Sequence, residues 1–119
     1  ISDLTPILIA NEANLVFLSE EKGLRNIKIR DFYTGYRKNE LKSDEILIKI
    51  EINLPENNIE IVKAYKQAKR REDDTSIVNS CFKVKLEKSN ESFKIKTLDL
   101  SYGGLAPITI YLGYKLIGF

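Results

Sequence analysis

Ile46, Ile48, Ile50 and Ile52 alternate with Leu47, Lys49, Glu51 and Asn53 along "EILIKIEINLP", the clearest local pattern in the chain. A period of two predicts a strand with one purely apolar face and one mostly polar face. Pro55 ends the run, "ENN" makes an exposed link, and "IEIVKAYKQA" resumes the alternation as another strand. Two more strands follow. "CFKVKLE" sets Phe82, Val84 and Leu86 against Lys83, Lys85 and Glu87, and "SFKIKTLDLSY" comes after a polar "KSNE" turn. The last strand changes phase between Ile95 and Leu98, which predicts a bulge. "YGGLAP" then breaks the pattern with two glycines and a proline.

Upstream the periods are mixed. "ISDLTPILIAN" predicts a helix start: Ser2 can cap, Asp3 puts negative charge in the first turn, and Pro6 is close enough to the N-terminus to be tolerated. Leu4, Ile7 and Leu8 then fall on one face at helical spacing. "NLVFLSEEKGLRNIKI" predicts two short strands around a turn at Gly23. "RDFYTGYRKNEL", with Phe32, Tyr33 and Tyr36, predicts a short helical turn or a ring-anchored loop. "DDTSIVNS" predicts another short helical turn, capped by Asp73 or Asp74. The fold class is α+β. An α+β piece over residues 1–55 is followed by an antiparallel β-meander over residues 59–119, with the boundary near Pro55 to Asn58.

Composition narrows the chemistry. A chain of 119 residues suits one compact domain or pieces of two. At 43% hydrophobic it can bury a core; at 30% charged, with no apolar run near the roughly 20 residues of a spanning helix, it does not read as a membrane protein. A net charge of +2 is too balanced for bulk attraction to a polyanion. The basic, aromatic "GYRKNELK" has acidic neighbours, so nucleic acid is not the expected partner. The single cysteine, Cys81, reads as a small buried hydrophobe, and a lone thiol fits a reducing compartment. Without histidine and with one cysteine, the chain cannot build a zinc or iron–sulfur site by itself. It contains no methionine and opens in mid-pattern on Ile1. The expectation is an internal fragment of a longer protein, with its chemistry completed elsewhere.

One stretch stands apart from the alternation. In "YKQAKRREDD" the cations Lys66, Lys69, Arg70 and Arg71 run directly into Glu72, Asp73 and Asp74. Taken as charge alone this is a solvated loop of neighbouring ion pairs. It sits, however, between a strand and a capped turn, where sites are commonly mounted. "YKQAKRREDDTSIVNS" resembles the flavin-binding stretch of the xanthine dehydrogenase/oxidase family of molybdenum hydroxylases. "ISDLTPILIA", "GYRKNELKSDEILIKIEI" and "YGGLAP" resemble three further elements of that family, in family order and at nearly family spacing. The resemblance covers residues 1 to about 107; "ITIYLGYKLIGF" keeps only echoes. Aldehyde oxidases share much of the pattern, and the full "RREDD" string favours xanthine dehydrogenase.

The resemblance implies the end of an FAD-binding domain over residues 1–55. The start of a CO-dehydrogenase-flavoprotein-like C-terminal domain would follow over residues 59–119. It places Asp3, Leu47 and Lys66 at FAD-contacting positions, and Arg70, Arg71, Glu72 and Asp73 in a loop near the flavin. By residue type alone, Asp3 is equally a helix-start carboxylate, Leu47 a strand residue and Lys66 a surface lysine. An ammonium beside the isoalloxazine would favour its reduced, charge-bearing form by Coulomb attraction. The implied parent is a homodimeric, cytoplasmic or peroxisomal enzyme that oxidises purines at a molybdenum cofactor. Electrons would pass through two [2Fe–2S] clusters to FAD and on to NAD or oxygen. No catalytic or metal-binding residue is expected in this segment, whose partner would be the remainder of that enzyme. An alternative of another class is a non-catalytic α+β interaction module that uses its strand edges or the charged loop.

Overall fold

The computed structural model describes residues 2–54, 59–90 and 92–114; the expected boundary at Pro55 to Asn58 and the closing "KLIGF" lie outside them. The first part contains helix α1 (Thr5–Ala10), strands β1 (Asn14–Ser19) and β2 (Gly23–Lys28), and the short helix α2 (Ile29–Phe32). Strands β3 (Tyr33–Gly35), β4 (Lys38–Asn39) and β5 (Glu45–Glu51) complete it. β1 is the centre of a three-stranded antiparallel sheet, with β2 and β5 at its edges, while β3 and β4 form a small separate pair. Gly23 turns the β1–β2 hairpin at φ +73°, a left-handed conformation open to glycine at little cost. The core sits here. Ile9, Ala13, Leu15, Phe17 and Ile29 pack together, and burying a side chain such as Phe17 contributes about 1.5–3 kcal/mol.

The second part is the expected meander. β6 (Ile59–Gln67), β7 (Val78–Ser89), β8 (Ser92–Gly103) and β9 (Ile110–Tyr114) pair antiparallel in chain order. The bulge falls where the phase change predicts it. Lys85 pairs with Thr97 but Leu86 pairs with Ile95, so Lys96 is the extra residue and Ile95 and Leu98 share a face.

Coverage of this sheet runs opposite to its polarity. Following the pairings, one face carries Ile61, Tyr65, Phe82, Val84, Leu98, Leu100, Tyr102 and Leu112. It is open: Ile61, Tyr65 and Leu112 are exposed, and Phe82 lies against both Tyr65 and Tyr102 at 5.5 Å between ring centroids. The other face carries Lys66, Asn79, Cys81, Lys83, Glu60, Ser101 and Tyr111, and α1 lies across it. The buried Ser101 hydroxyl donates to the Pro6 carbonyl, and the Asn79 amide donates to the Ser2 carbonyl at 2.8 Å. Beside them Glu60 accepts from Lys83 at 3.2 Å and Lys85 at 2.7 Å, with the Glu60 and Lys83 side chains each 6% exposed. Burial pushes the Glu60 carboxyl up, and the Lys85 and Lys83 ammoniums more than offset it, leaving it below the ordinary glutamate range. Cys81 is buried as expected, and that burial raises its thiol pKa.

Three expectations are corrected. The buried side of α1 is Thr5, Pro6, Ile9 and Ala10, while Leu4 is exposed, because the six-residue helix lies on the sheet by its proline side. β5 does not keep one isoleucine face: Val16 pairs with Lys49 but Phe17 with Leu47, so Ile48 is the extra residue of a bulge, Ile50 and Leu47 share a side, and Ile46 turns to the other, all of them exposed. "DDTSIVNS" forms no helical turn: Asp74 accepts from the backbone N–H groups of Arg70 and Thr75, each at 2.9 Å, which closes a loop. Val78, Asn79 and Ser80 already belong to β7. No helix among the described residues is long and apolar enough to cross a membrane.

Candidate functional site

Strand β6 delivers Lys66 to the point where the chain leaves the sheet, and the chain returns at Ser76 after the charged loop. The neck is closed by the Ile77 N–H donating to the Gln67 carbonyl at 2.8 Å. Across this neck lies the N-terminal turn. Lys66 Nζ donates to Asp3 Oδ2 at 2.8 Å, and the Ser76 hydroxyl donates to the other carboxylate oxygen. Ser2 Oγ accepts from the backbone N–H groups of Leu4 and Thr5 at 3.3 Å, which holds the turn that presents Asp3. The Lys66 bond, then the Ser76 bond, hold the Asp3 carboxyl below its ordinary value of 3.8, so it is a carboxylate at neutral pH.

The loop itself is stiffened from within. Arg70 Nη2 donates to the Asp73 carbonyl at 3.0 Å and stands 3.6 Å from Asp74 Oδ1, and Asp73 takes the left-handed φ of +48°. Arg70, Arg71, Glu72 and Asp73 are exposed, and among the described residues Arg71 and Glu72 form no ion pair. Both signs of charge are therefore presented to solvent on a backbone fixed at its neck.

Asp3 and Lys66 thus meet from positions 63 residues apart, with Arg70–Asp73 rising beside them. Leu47 is not part of this group. It stands on β5 of the three-stranded sheet, paired with Phe17. An open cleft of about 640 Å³ is lined by Ser2, Thr5, Tyr36, Arg37, Gly103 and Pro107 among others. The Arg37 guanidinium stacks over the Tyr36 ring at 5.4 Å. Sequence reasoning missed Ser76, Asn79 and Gly103. Ser76 and Asn79 sit in a stretch read for capping, and nothing local signals that their partners are at residues 2 and 3.

Two family models account for most of the chain. Residues 1–55 match the FAD binding domain in molybdopterin dehydrogenase, and residues 63–112 match the CO dehydrogenase flavoprotein C-terminal domain. The two matches define a flavoprotein segment, and the chain belongs to the molybdopterin dehydrogenase family. Within it the sequence is similar to xanthine dehydrogenases. It is 43% identical to that of Blastobotrys adeninivorans over 92% of this chain and 8% of that protein. It is 40% identical to the xanthine dehydrogenase/oxidase of Gallus gallus over the same shares. Among solved structures, the carbon monoxide dehydrogenase from Hydrogenophaga pseudoflava superposes with a TM-score of 0.76 at 18% identity. The match covers 92% of this chain and 36% of that one, and shows the α+β fold alone. The chain spans 8% of the length of the curated relatives it matches.

Proposed function

We infer that this chain is the flavin-adjacent segment of a xanthine dehydrogenase/oxidase-like enzyme, in which residues 1–55 close an FAD-binding domain and residues 59–119 open the next one. The observation that carries this reading is the Asp3–Lys66 contact. Two residues at FAD-contacting positions of the family, far apart in sequence, meet at the base of an exposed loop of mixed charge. The donor set fits part of a flavin site. A lysine ammonium has three N–H donors, and the Lys66 bond to Asp3 leaves others for a ligand, on a side chain 40% exposed. FAD, when bound, supplies two-electron redox chemistry between the parent's molybdenum cofactor and two [2Fe–2S] clusters on one side and NAD or oxygen on the other.

The part of this chain is narrower. Lys66 holds a positive charge at the neck, Asp3 orients and partly neutralises it, and the Arg70–Asp73 loop presents charges to whatever approaches. Leu47, which the family resemblance also sets at a flavin contact, stands apart from this pair on β5. The parent would be a homodimer of the cytoplasm or peroxisome acting on a purine. An aldehyde as substrate is the second reading, because "IVNS" is at home in aldehyde oxidases too. Lys66→Met in the FAD-loaded parent tests the reading. It should lower the flavin reduction potential and weaken FAD retention, while substrate oxidation followed with an acceptor that bypasses flavin stays unchanged. An unchanged potential and retention would return Lys66 to a surface lysine bonded to Asp3.

A further inference from the structure

The open cleft has two walls from different parts of the chain. One is the β3–β4 hairpin, with Tyr33, Tyr36 and Arg37, and the other is the β8–β9 connection, with Gly104, Pro107 and Thr109. Arg30 stands in α2 just before the first wall, and Tyr111 in β9 just after the second. The two meet: the Arg30 guanidinium lies over the Tyr111 ring, 5.7 Å from its centroid. The same ring packs against the Ile9, Ala13, Leu15, Phe17 and Ile29 core of the first part. Its own sheet fixes its direction. Tyr111 pairs with Ser101 and Gly113 with Asp99, so Asp99 is its diagonal neighbour, and the Tyr111 hydroxyl donates to Asp99 Oδ1 at 2.6 Å. The ring crosses Gly113 to get there. A Cβ at that glycine would stand 2.5 Å from the hydroxyl oxygen and 2.8 Å from Cζ, so only a residue without a side chain leaves the ring its place.

We propose that Tyr111 is a positioning residue for the cleft: fastened to Asp99 at its hydroxyl and gripped by Arg30 on its face, the ring is a strut that holds the β8–β9 wall against the β3–β4 wall. Each contact alone would steady one side. Together they make the separation of the walls depend on one side chain, so that a change at Asp99 is felt at the hairpin and a change at Arg30 is felt in β9. The strut goes beyond the flavin reading and does not depend on what binds at the charged neck.

The test is amide exchange in the full-length protein. Asp99→Ala frees the hydroxyl, and losing a bond to a charged group should speed exchange in β9 about tenfold. The ring then leaves Arg30, and the lost cation–π contact should speed exchange within residues 33–40 about threefold. Arg30→Gln cuts the strut from its other end and should speed exchange in β9 about threefold. Asp99→Asn, which still accepts, and Arg30→Lys, which keeps the cation, should restore most of each effect. The β6–β7 ladder should not change in any of them. Gly113→Ala should act on residues 33–40 as Asp99→Ala does, and should add nothing there in a Tyr111→Leu protein. Residues 33–40 unmoved in Asp99→Ala, or β9 unmoved in Arg30→Gln, overturn the strut and leave two separate local contacts. A Gly113→Ala effect on residues 33–40 that survives in Tyr111→Leu overturns the ring as the link between the walls.

Discussion

Glu60→Gln is the substitution with the most to say about how the strand that carries Lys66 is held. Glu60 serves two cations, Lys83 at 3.2 Å and Lys85 at 2.7 Å; Lys83 is 6% exposed and Lys85 34%. An amide preserves the shape and can accept from one lysine, but it leaves two ammoniums together without a counter-charge. Removing one partner of a buried pair costs about 3–5 kcal/mol. The cost also has a ceiling, since a lysine of ordinary pKa near 10.4 can shed its proton at pH 7 for about 4.6 kcal/mol. Partial solvation of Lys85 lowers the figure, so about 3 kcal/mol is expected, a change of roughly a hundredfold in local opening. Amide exchange over β6 and β7 in the full-length protein reads this directly. The pH dependence adds a second check. In wild type the Glu60 bond raises the Lys85 pKa, so its contribution is complete below the ordinary lysine value and is lost only above it. In the variant a cation is held against its preference, so stability should rise with pH towards the ordinary lysine value as proton release becomes cheaper. Adding Lys83→Met should restore most of the loss. Opening within about threefold of wild type, with no pH dependence beyond intrinsic exchange, would show that these charges are solvated and that the reasoning from burial is wrong.

Three further outcomes follow from the same geometry. Burial, and then the Asp99 carboxylate that accepts from its hydroxyl at 2.6 Å, push the Tyr111 pKa up from 10.0 to about 12. Its contribution is therefore complete below pH 10 and lost between pH 10 and 12, so Tyr111→Phe should flatten the alkaline loss of thermal stability; equal losses in both proteins would refute this. A Cβ at Gly103 would stand 2.1 Å from Asn79 Oδ1 and 3.3 Å from Pro6 Cγ, so Gly103→Ala should cost about 1–3 kcal/mol and loosen residues 2–10; an unchanged melting temperature would show that Asn79 simply moves aside. Residues 1–119 alone should bind FAD weakly, because one ammonium and one loop are a small part of a dinucleotide site; tight one-to-one binding in a fluorescence titration would contradict that.

What the sequence makes legible here is what depends on neighbours along the chain. Alternation of Phe82, Val84 and Leu86 is enough to place a strand, and the slip between Ile95 and Leu98 is enough to place Lys96 as a bulge, because both follow from the two-residue pleat. Coverage is a different kind of fact. The apolar row of the meander looked like a face meant for a core, yet α1 covers the face with Lys83, Ser101 and Asn79 instead, and the isoleucine row of β5 is split by a bulge at Ile48. Period-two reading tells which residues share a face and is silent on which face another element reaches. The candidate site shows the same division. Asp3 was legible as a helix-start carboxylate and Lys66 as a strand lysine, each by a sound local rule, and neither rule contains the other residue. Only the motif order hinted that they act together, and even that left Ser76 unseen.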